Sequence, residues 1–350
     1  MSTVTIAVDL AKHVFELAVS NRPGSIQERK RLSRGQFEQF WSKREGCRVV
    51  MEACASAHFW ARKLRSRGFD VILLPAQYVA RYRRRNKTDR ADCEAILEAA
   101  RCAGILPVAV KSEDQQALVA LHRVRSQWQQ SRTARINAMR GLLHEFGVST
   151  PSGSSRFLNT FHTLLANKAE VLPERLRRAL TQLWEEVREL EERIEAIETE
   201  LAGVALEQPG IQALLRIPGI GVLTATALFA SVADVHAFKS GRQLACWLGL
   251  TPRESSSGGR RHLGSISKQG DPYLRTLLIH GARSALNAAR RAEAAGKPVT
   301  ELQGWSLRRA RTAHPNRAVV ALANKLTRIA WAVWYHERVF DGNYVVRSAA

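Results

Sequence analysis

Val4-Thr-Ile-Ala-Val-Asp9 is followed, across Leu10-Ala-Lys12, by His13-Val-Phe-Glu-Leu-Ala-Val-Ser20. The first segment is an apolar, β-branched run. The second alternates apolar and polar residues, so both read as strands joined by a tight hairpin through Leu10 to Lys12. Ser33 can cap a helix carrying Phe37, Phe40 and Trp41; Arg48 to Glu52 then reads as a buried strand, Ala57 to Gly68 as a helix and Phe69 to Leu74 as another strand. A strand pair followed by alternating helices and strands predicts an α/β sheet with helices on its faces.

Beyond Pro75 the chain becomes strongly basic at Arg81, Arg83, Arg84, Arg85 and Lys87. Ser112 to Glu145 follows a helical pattern that Val148 to Ser155, rich in Ser, Gly and Pro, interrupts. In a second long helix, Leu183, Val187, Leu190, Ile194, Ile197, Leu201 and Val204 recur at spacings of four and three, a heptad seam that must bury itself against another helix. That partner could lie in the same chain or in a second copy. After Pro209 the pattern is compact and mostly helical, closing with Ala318 to Tyr335, where Trp331 and Trp334 are expected in the core.

Composition narrows the function. Lys and Arg number 53 against 32 Asp and Glu, a net charge of +21, and 45% of the 350 residues are hydrophobic. Real cores are therefore expected, and so is a polyanionic partner, with nucleic acid first. Met1 to Asp9 has no basic segment ahead of an apolar core, and no run is apolar for about 18 residues, so neither a signal peptide nor a membrane span is expected. Cys47, Cys54, Cys93, Cys102 and Cys246 are odd in number and scattered, which argues against a disulfide framework or zinc site and for a cytoplasmic protein.

Four acids attract chemistry. Asp9 and Glu52 each end an apolar strand, while Asp89 and Asp92, three apart, share the first turn of a helix beside the basic stretch. Carboxylates gathered at one sheet edge repel one another unless cations hold them. Two Mg²⁺ ions about 4 Å apart would do so, and would suit phosphodiester cleavage. Taken singly, the same acids could be solvated strand ends or first-turn residues favoured by the helix dipole. In the C-terminal half, Leu215-Arg-Ile-Pro-Gly-Ile-Gly221 has the form of helix, glycine turn and helix; the amides at Gly219 and Gly221 could bind a phosphate, or the turn could simply join helices. Trp247 to His262, with Arg253, Arg260 and Arg261, and Gly264 to Gly270, with Lys268, read as a phosphate-binding loop or a plain linker.

Taken in order, Ala-Val-Asp9-Leu-Ala-Lys, Met-Glu52-Ala-Cys, Asn-Lys-Thr-Asp89-Arg-Ala-Asp92, Ile-Pro-Gly-Ile-Gly221, Gly-Leu-Thr-Pro-Arg253, Ser257-Gly258 and Ser-Lys268-x-Gly270 resemble the DEDD recombinases of bacterial insertion sequences. Those bridge-RNA-guided transposases in turn resemble the Piv-type DNA invertases. The resemblance implies an RuvC-like (RNase H-like) catalytic domain over 1–108, a helical coiled-coil linker over 109–206 and a mostly helical transposase domain over 207–345. It implies Mg²⁺ held by Asp9, Glu52, Asp89 and Asp92, with Ser257 attacking a DNA phosphate. In the triple Ser255-Ser256-Ser257 the register leaves Ser256 as the reserve. Donor and target DNA, a structured guide RNA and assembly as a homodimer or homotetramer at the bacterial nucleoid are implied too. A metal ion or carboxylate would help a serine hydroxyl lose its proton, and a phosphoserine bond would conserve the energy of the broken ester, so strands could be rejoined without ATP. Arg253, Arg260, Arg261 and Lys268 are expected to hold phosphate near the serine. A Piv-like invertase without RNA, a hydrolytic junction resolvase and a non-catalytic binding homologue are the rivals.

Overall fold

The two expected N-terminal runs form β1 (Thr5–Leu10) and β2 (Val14–Ser20), paired antiparallel with Asp9 opposite Glu16. An unexpected strand, β3 (Glu28–Ser33), adds antiparallel to the free edge of β2. Its sequence, Glu-Arg-Lys-Arg-Leu-Ser, carries almost no apolar signal; its ladder with β2, rather than burial, makes it a strand, and its charges suit an exposed edge. Ser33 then caps α1 (Arg34–Ser42) with a reciprocal capping box to Gln36. There follow β4 (Arg48–Glu52), α2 (Ala57–Arg65), β5 (Asp70–Leu74), the short α3 (Ala76–Val79) and α4 (Asp89–Ala100). The sheet order is β3-β2-β1-β4-β5, with β1, β4 and β5 parallel.

Side-chain alternation sorts the sheet's two faces. Ile6, Val8, Phe15, Leu17, Val49 and Met51 pack with Phe37, Trp41, Trp60 and Leu64 of α1 and α2. There Phe15 stacks on Phe37 with centroids 4.4 Å apart, and Trp60 meets both rings edge-on. Ala7, Ala18 and Val50 face the other way, against Cys93, Ile96 and Leu97 of α4. The small residues on that side let α4 approach the sheet closely.

The structure is a computed structural model describing residues 4–44, 46–83 and 88–344. The sheet and its helices belong to one compact unit, Met1–Gln115 with Ser231–Lys239; Gln116–Ala230 with Ser240–Ala350 form a second. The latter draws on α5 (Glu113–Glu145), α6 (Ser154–Asn167), α7 (Glu174–Glu207), α8 (Pro209–Leu215), α9 (Val222–Val232), α10 (Gly241–Trp247), a hairpin of β6 (Pro252–Glu254) and β7 (Leu263–Ile266), then α11 (Pro272–Ala294), α12 (Glu301–Thr312) and α13 (Pro315–Tyr335).

The heptad seam finds its partner within the chain. Ile136, Met139 and Leu143 of α5 share a buried cluster with Leu180 and Val187 of α7, and Leu118 another with Ile197 and Leu201. Position numbers rise on one helix as they fall on the other, so the pair is antiparallel. Along its flank Arg125 pairs with Glu198 (2.7 Å), Arg132 with Glu191 (2.8 Å) and Arg135 with Glu186. The break after α5 is pinned by Arg140, whose guanidinium donates to the carbonyls of Pro151 and Gly153. The expected core residues Trp331 and Trp334 are only half-buried. Trp331 stacks on Tyr335 and Trp334 on Phe229, while Leu322, Ala323, Leu326 and Ala330 fill the core side of α13. Among the described residues no helix is long and apolar enough to cross a membrane.

Candidate active site

The acid face lies in the first unit. Val8 and Met51 are register partners on the parallel strands β1 and β4, so Asp9 and Glu52, one residue on, sit side by side at the strands' C-terminal ends. Each lies two residues beyond a residue buried under α4, Ala7 and Val50, and alternation therefore puts both acids on the α4 face. The first turn of α4, capped by the Thr88 hydroxyl, brings Asp89 and Asp92 to that face's helix: Asp92 is buried and Asp89 exposed.

Two side chains complicate this arrangement. Arg83 donates from Nε to Asp92 Oδ1 at 2.6 Å, and its Nη2 lies 2.5 Å from the same oxygen. Glu16, directly across from Asp9, is only 6% exposed and lies 3.9 Å from Arg90. Glu16 was not among the expected site residues, although its place opposite Asp9 in the β2 alternation was a signal for it. The Cys93 thiol donates to the Glu16 carbonyl (3.2 Å); burial, with the Asp9 and Glu16 carboxylates nearby, pushes its pKa well above the usual thiol range. Among the described residues no three His, Cys, Asp or Glu side chains lie close enough together to hold a metal ion. The carboxylate oxygens of Asp9 and Glu52 on the strands and of Asp89 and Asp92 on α4 are hard donors, the chemistry that Mg²⁺ takes. Arg84, Arg85 and Lys87 lie outside the described residues.

The candidate serine lies in the second unit, on a hairpin where a loop or linker was expected. Glu254 pairs with Leu263 and Ser257 with Arg260, leaving Gly258 and Gly259 as a two-residue turn. Both turn residues have positive φ, +56° and +76°, the geometry of a type I′ turn that glycine accepts without strain. Alternation places Ser255, Ser257, Arg260 and His262 on one face and Glu254, Ser256 and Arg261 on the other. Contacts brace the latter: Ser256 donates to Glu254 Oε1 (2.8 Å) and accepts from the His262 amide (3.1 Å), and Arg261 donates to the same carboxylate oxygen (3.3 Å). The Ser256 hydroxyl is thus committed to holding the hairpin.

Hydrogen bonds tie down the hairpin's root. Arg253 donates to the Ser267 carbonyl, the Lys268 amide donates to the carbonyl of Gly249, and Arg275 donates to the carbonyls of Leu248 and Gln269. Lys268 itself has φ +54°, an uncommon conformation for a side-chain-bearing residue. Arg253, Arg260, Arg261 and Lys268 are all exposed, as phosphate contacts require. In the glycine turn between α8 and α9, Gly221 is exposed, whereas Gly219 packs so closely on Gly281 of α11 that a Cβ there would lie 2.5 Å from the Gly281 oxygen. Close helix packing thus accounts for Gly219 without a ligand.

Also unforeseen is a buried polar knot around His122 of α5. Its Nδ1 lies 3.0 Å from Tyr273 Oη and its Nε2 3.0 Å from Thr226 Oγ1. The Thr226 hydroxyl donates to the Val222 carbonyl at 2.7 Å, so Nε2–H donates to Thr226 and Nδ1 accepts from Tyr273. Burial, with Arg125 nearby, lowers the His122 pKa to about 4.

Comparison with known proteins bears on both units. Residues 211–296 match the family described as "Transposase IS116/IS110/IS902 family", and residues 6–147 match the IS110 family of DEDD transposases. A "Probable family 20 transposase" of Pseudomonas aeruginosa is 42% identical over 342 residues, covering 97% of this chain and 99% of that relative. The "Transposase for insertion sequence element IS1111A" of Coxiella burnetii is 40% identical, over 96% of this chain and 90% of the relative. More distantly, the "Pilin gene-inverting protein" of Moraxella bovis is 32% identical over 129 residues, 37% of this chain and 38% of the relative.

Proposed function

The chain belongs to the IS116/IS110/IS902 family of insertion-sequence transposases, and on that premise we propose that it is a serine-nucleophile DNA recombinase in which Asp9, Glu52, Asp89 and Asp92 hold two Mg²⁺ ions and Ser257 attacks the DNA. The observation that carries this reading is the meeting of Asp9 and Glu52, from two parallel strands, on the sheet face that α4 covers with Asp89 and Asp92 in its first turn. The sheet order, with three antiparallel and three parallel members sharing β1, supports an RuvC-like catalytic domain. Bound at the four acids, Mg²⁺ would supply charge neutralisation for the reacting phosphate and its leaving oxygen.

The protein's own groups would do the rest. Ser257 Oγ forms a bond to phosphorus as one ester P–O bond breaks; the hydroxyl proton passes to a carboxylate or to solvent, and the leaving oxygen takes up a proton. Attack of another strand's hydroxyl on the phosphoserine reverses the exchange, so no nucleotide hydrolysis is needed. Ser257 is favoured over Ser256 because Ser256 is engaged by Glu254 and the His262 amide, while Ser257 shares its face with Arg260 beside the turn. Arg253, Arg260, Arg261 and Lys268 position phosphate. A structured RNA guides target choice, and a dimer or tetramer in the bacterial cytoplasm brings the serine of one copy to the acids of another.

Recombination between donor and target DNA tests the acids. Asp9→Ala, Glu52→Ala, Asp89→Ala and Asp92→Ala are each expected to abolish it while nucleic-acid binding persists, because the basic surface is untouched; near-normal recombination by Asp9→Ala contradicts the assignment. Sequencing RNA that co-purifies with the protein tests the guide. The similarity to a pilin gene-inverting protein favours, as a second reading, recombination at fixed DNA sites without RNA; full activity of RNA-free protein on fixed sites would establish it.

A further inference from the structure

Away from the serine hairpin, α12 and α13 build a second cationic feature. Trp305 and Arg308 lie three residues apart on α12, and Lys325 and Arg328 three apart on α13, so each pair shares a helix face. The two faces meet where the Lys325 ammonium lies over the Trp305 ring, 4.5 Å from its centroid. Among the described residues neither Lys325 nor Arg328 is ion-paired, and Arg308 is paired with the exposed Glu301 at 4.0 Å. Partial burial, reinforced by Arg328 and Arg308, lowers the Lys325 pKa below its usual value. Arg328 and Arg308 both bear electrostatically on the Lys325 ammonium, and cations grouped in this way are stabilised when an anion joins them. The Trp305 ring covers one side of the ammonium, so an anion would meet it from the other.

This patch is built into the element that supports the hairpin. Asn324, next to Lys325, donates to the Leu250 carbonyl at 3.1 Å, two residues before β6. At Arg328 the backbone is pressed by Gly241 of α10, where a Cβ would lie 2.8 Å from the Arg328 Cα. A strand held at this patch therefore stays registered to the root of the serine hairpin. We propose that Trp305, Arg308, Lys325 and Arg328 form a phosphate-binding site for the backbone of duplex DNA, distinct from the hairpin arginines, that anchors the duplex while the hairpin presents Ser257. The arginines supply forked donors and the lysine a point charge, a combination suited to successive backbone phosphates and indifferent to base sequence. The proposal rests on the reading that the chain acts on DNA, and its test separates the two.

In the full-length protein, the triple variant Arg308→Gln, Lys325→Gln, Arg328→Gln is compared with a control of equal charge loss, Arg178→Gln, Arg188→Gln, Arg193→Gln on α7, whose arginines already have acidic partners. Duplex affinity is measured across a salt series. The patch variant is expected to bind about tenfold or more weakly at moderate salt and to lose about one unit of log–log salt slope per phosphate contact surrendered, two to three in all; the control loses less than one. In the wild type, Lys325 acylation mapped by mass spectrometry is expected to fall several-fold when duplex DNA is added. Equal slopes for patch variant and control, or unchanged Lys325 acylation with duplex present, overturn the site. Protection by single-stranded RNA but not by duplex overturns its assignment to DNA. If the triple variant does not fold, Lys325→Gln alone and wild-type acylation decide. Ser257→Ala should retain wild-type slope and protection, so failure of the serine mechanism leaves these readouts standing and failure of the patch leaves the serine chemistry standing.

Discussion

Substituting Gly270 by alanine tests whether the hairpin that carries Ser257 is held by backbone packing. Gly270 has φ +87°, and a Cβ on it would lie 2.0 Å from the carbonyl oxygen of Trp247 and 3.1 Å from its carbon. Alanine in this left-handed conformation costs about 1–2 kcal/mol. Forcing a methyl against an immovable carbonyl adds the roughly 1–3 kcal/mol typical of overpacking. Gly270→Ala should therefore destabilise the second unit by about 2–5 kcal/mol. Gly258→Ala is the internal control: φ is also positive, +56°, but nothing lies within 4 Å of its Cβ, so only the first contribution applies. For a unit of this size, about 2–4 °C of melting temperature per kcal/mol puts Gly270→Ala about 4–20 °C below wild type and Gly258→Ala about 2–8 °C below. Gly270→Ala should also lose DNA strand transfer below its melting temperature, because relieving the clash moves the hairpin root away from Trp247. Equal melting of the two variants, or normal strand transfer by Gly270→Ala, refutes the argument.

Two further outcomes follow from buried polar contacts. The unfolded chain protonates His122 near pH 6.5 whereas the folded one resists until about pH 4, so the unfolded state binds the extra proton in that window. Stability of the second unit should fall by up to about 3 kcal/mol as pH drops from 6.5 to 4, and His122→Gln should flatten that slope in pH-dependent melting. Arg83→Gln strips the guanidinium from the largely buried Asp92 carboxylate and should destabilise the first unit by about 1–3 kcal/mol. Added Mg²⁺ should then restore more melting temperature to that variant than it adds to wild type, since a cation could take over the freed carboxylate; equal Mg²⁺ shifts would count against Asp92 as a metal ligand.

Much of the fold was legible where burial imposes a period. The runs at β1, β2, β4 and β5, the capped start of α1 and the long helices α5 and α7 all carry an apolar pattern strong enough to read. Strand β3 was not legible, because Glu28 to Ser33 owes its conformation to the neighbouring strand rather than to a buried face. The β6–β7 hairpin was hidden for a related reason: its residues are almost all exposed, and only the Gly258-Gly259 pair hinted at a two-residue turn. Helix α6 escaped notice beside the turn-forming stretch ahead of it, although Phe157, Phe161 and Leu165 space as a helix face. Whether the α7 seam joined its own chain could not be read from α7 alone; complementary charges on α5 decide it. At the acids, strand-end placement was readable for Asp9 and Glu52, whereas Arg83 on Asp92 and the burial of Glu16 depend on tertiary contacts that no local pattern encodes.

The central claim is that a serine, rather than water, attacks the DNA, and a covalent link tests it most directly. Purified protein, Mg²⁺, the RNA that co-purifies with it and end-labelled donor DNA are combined, denatured and resolved, and any labelled protein band is digested for peptide mapping. The account predicts a denaturation-resistant adduct at Ser257, absent from Ser257→Ala, which still binds nucleic acid, and absent from Asp9→Ala. An adduct at Ser256 would move the nucleophile by one residue. Normal cleavage by both Ser257→Ala and Ser256→Ala, with no adduct from any protein, would make water the nucleophile and contradict the account.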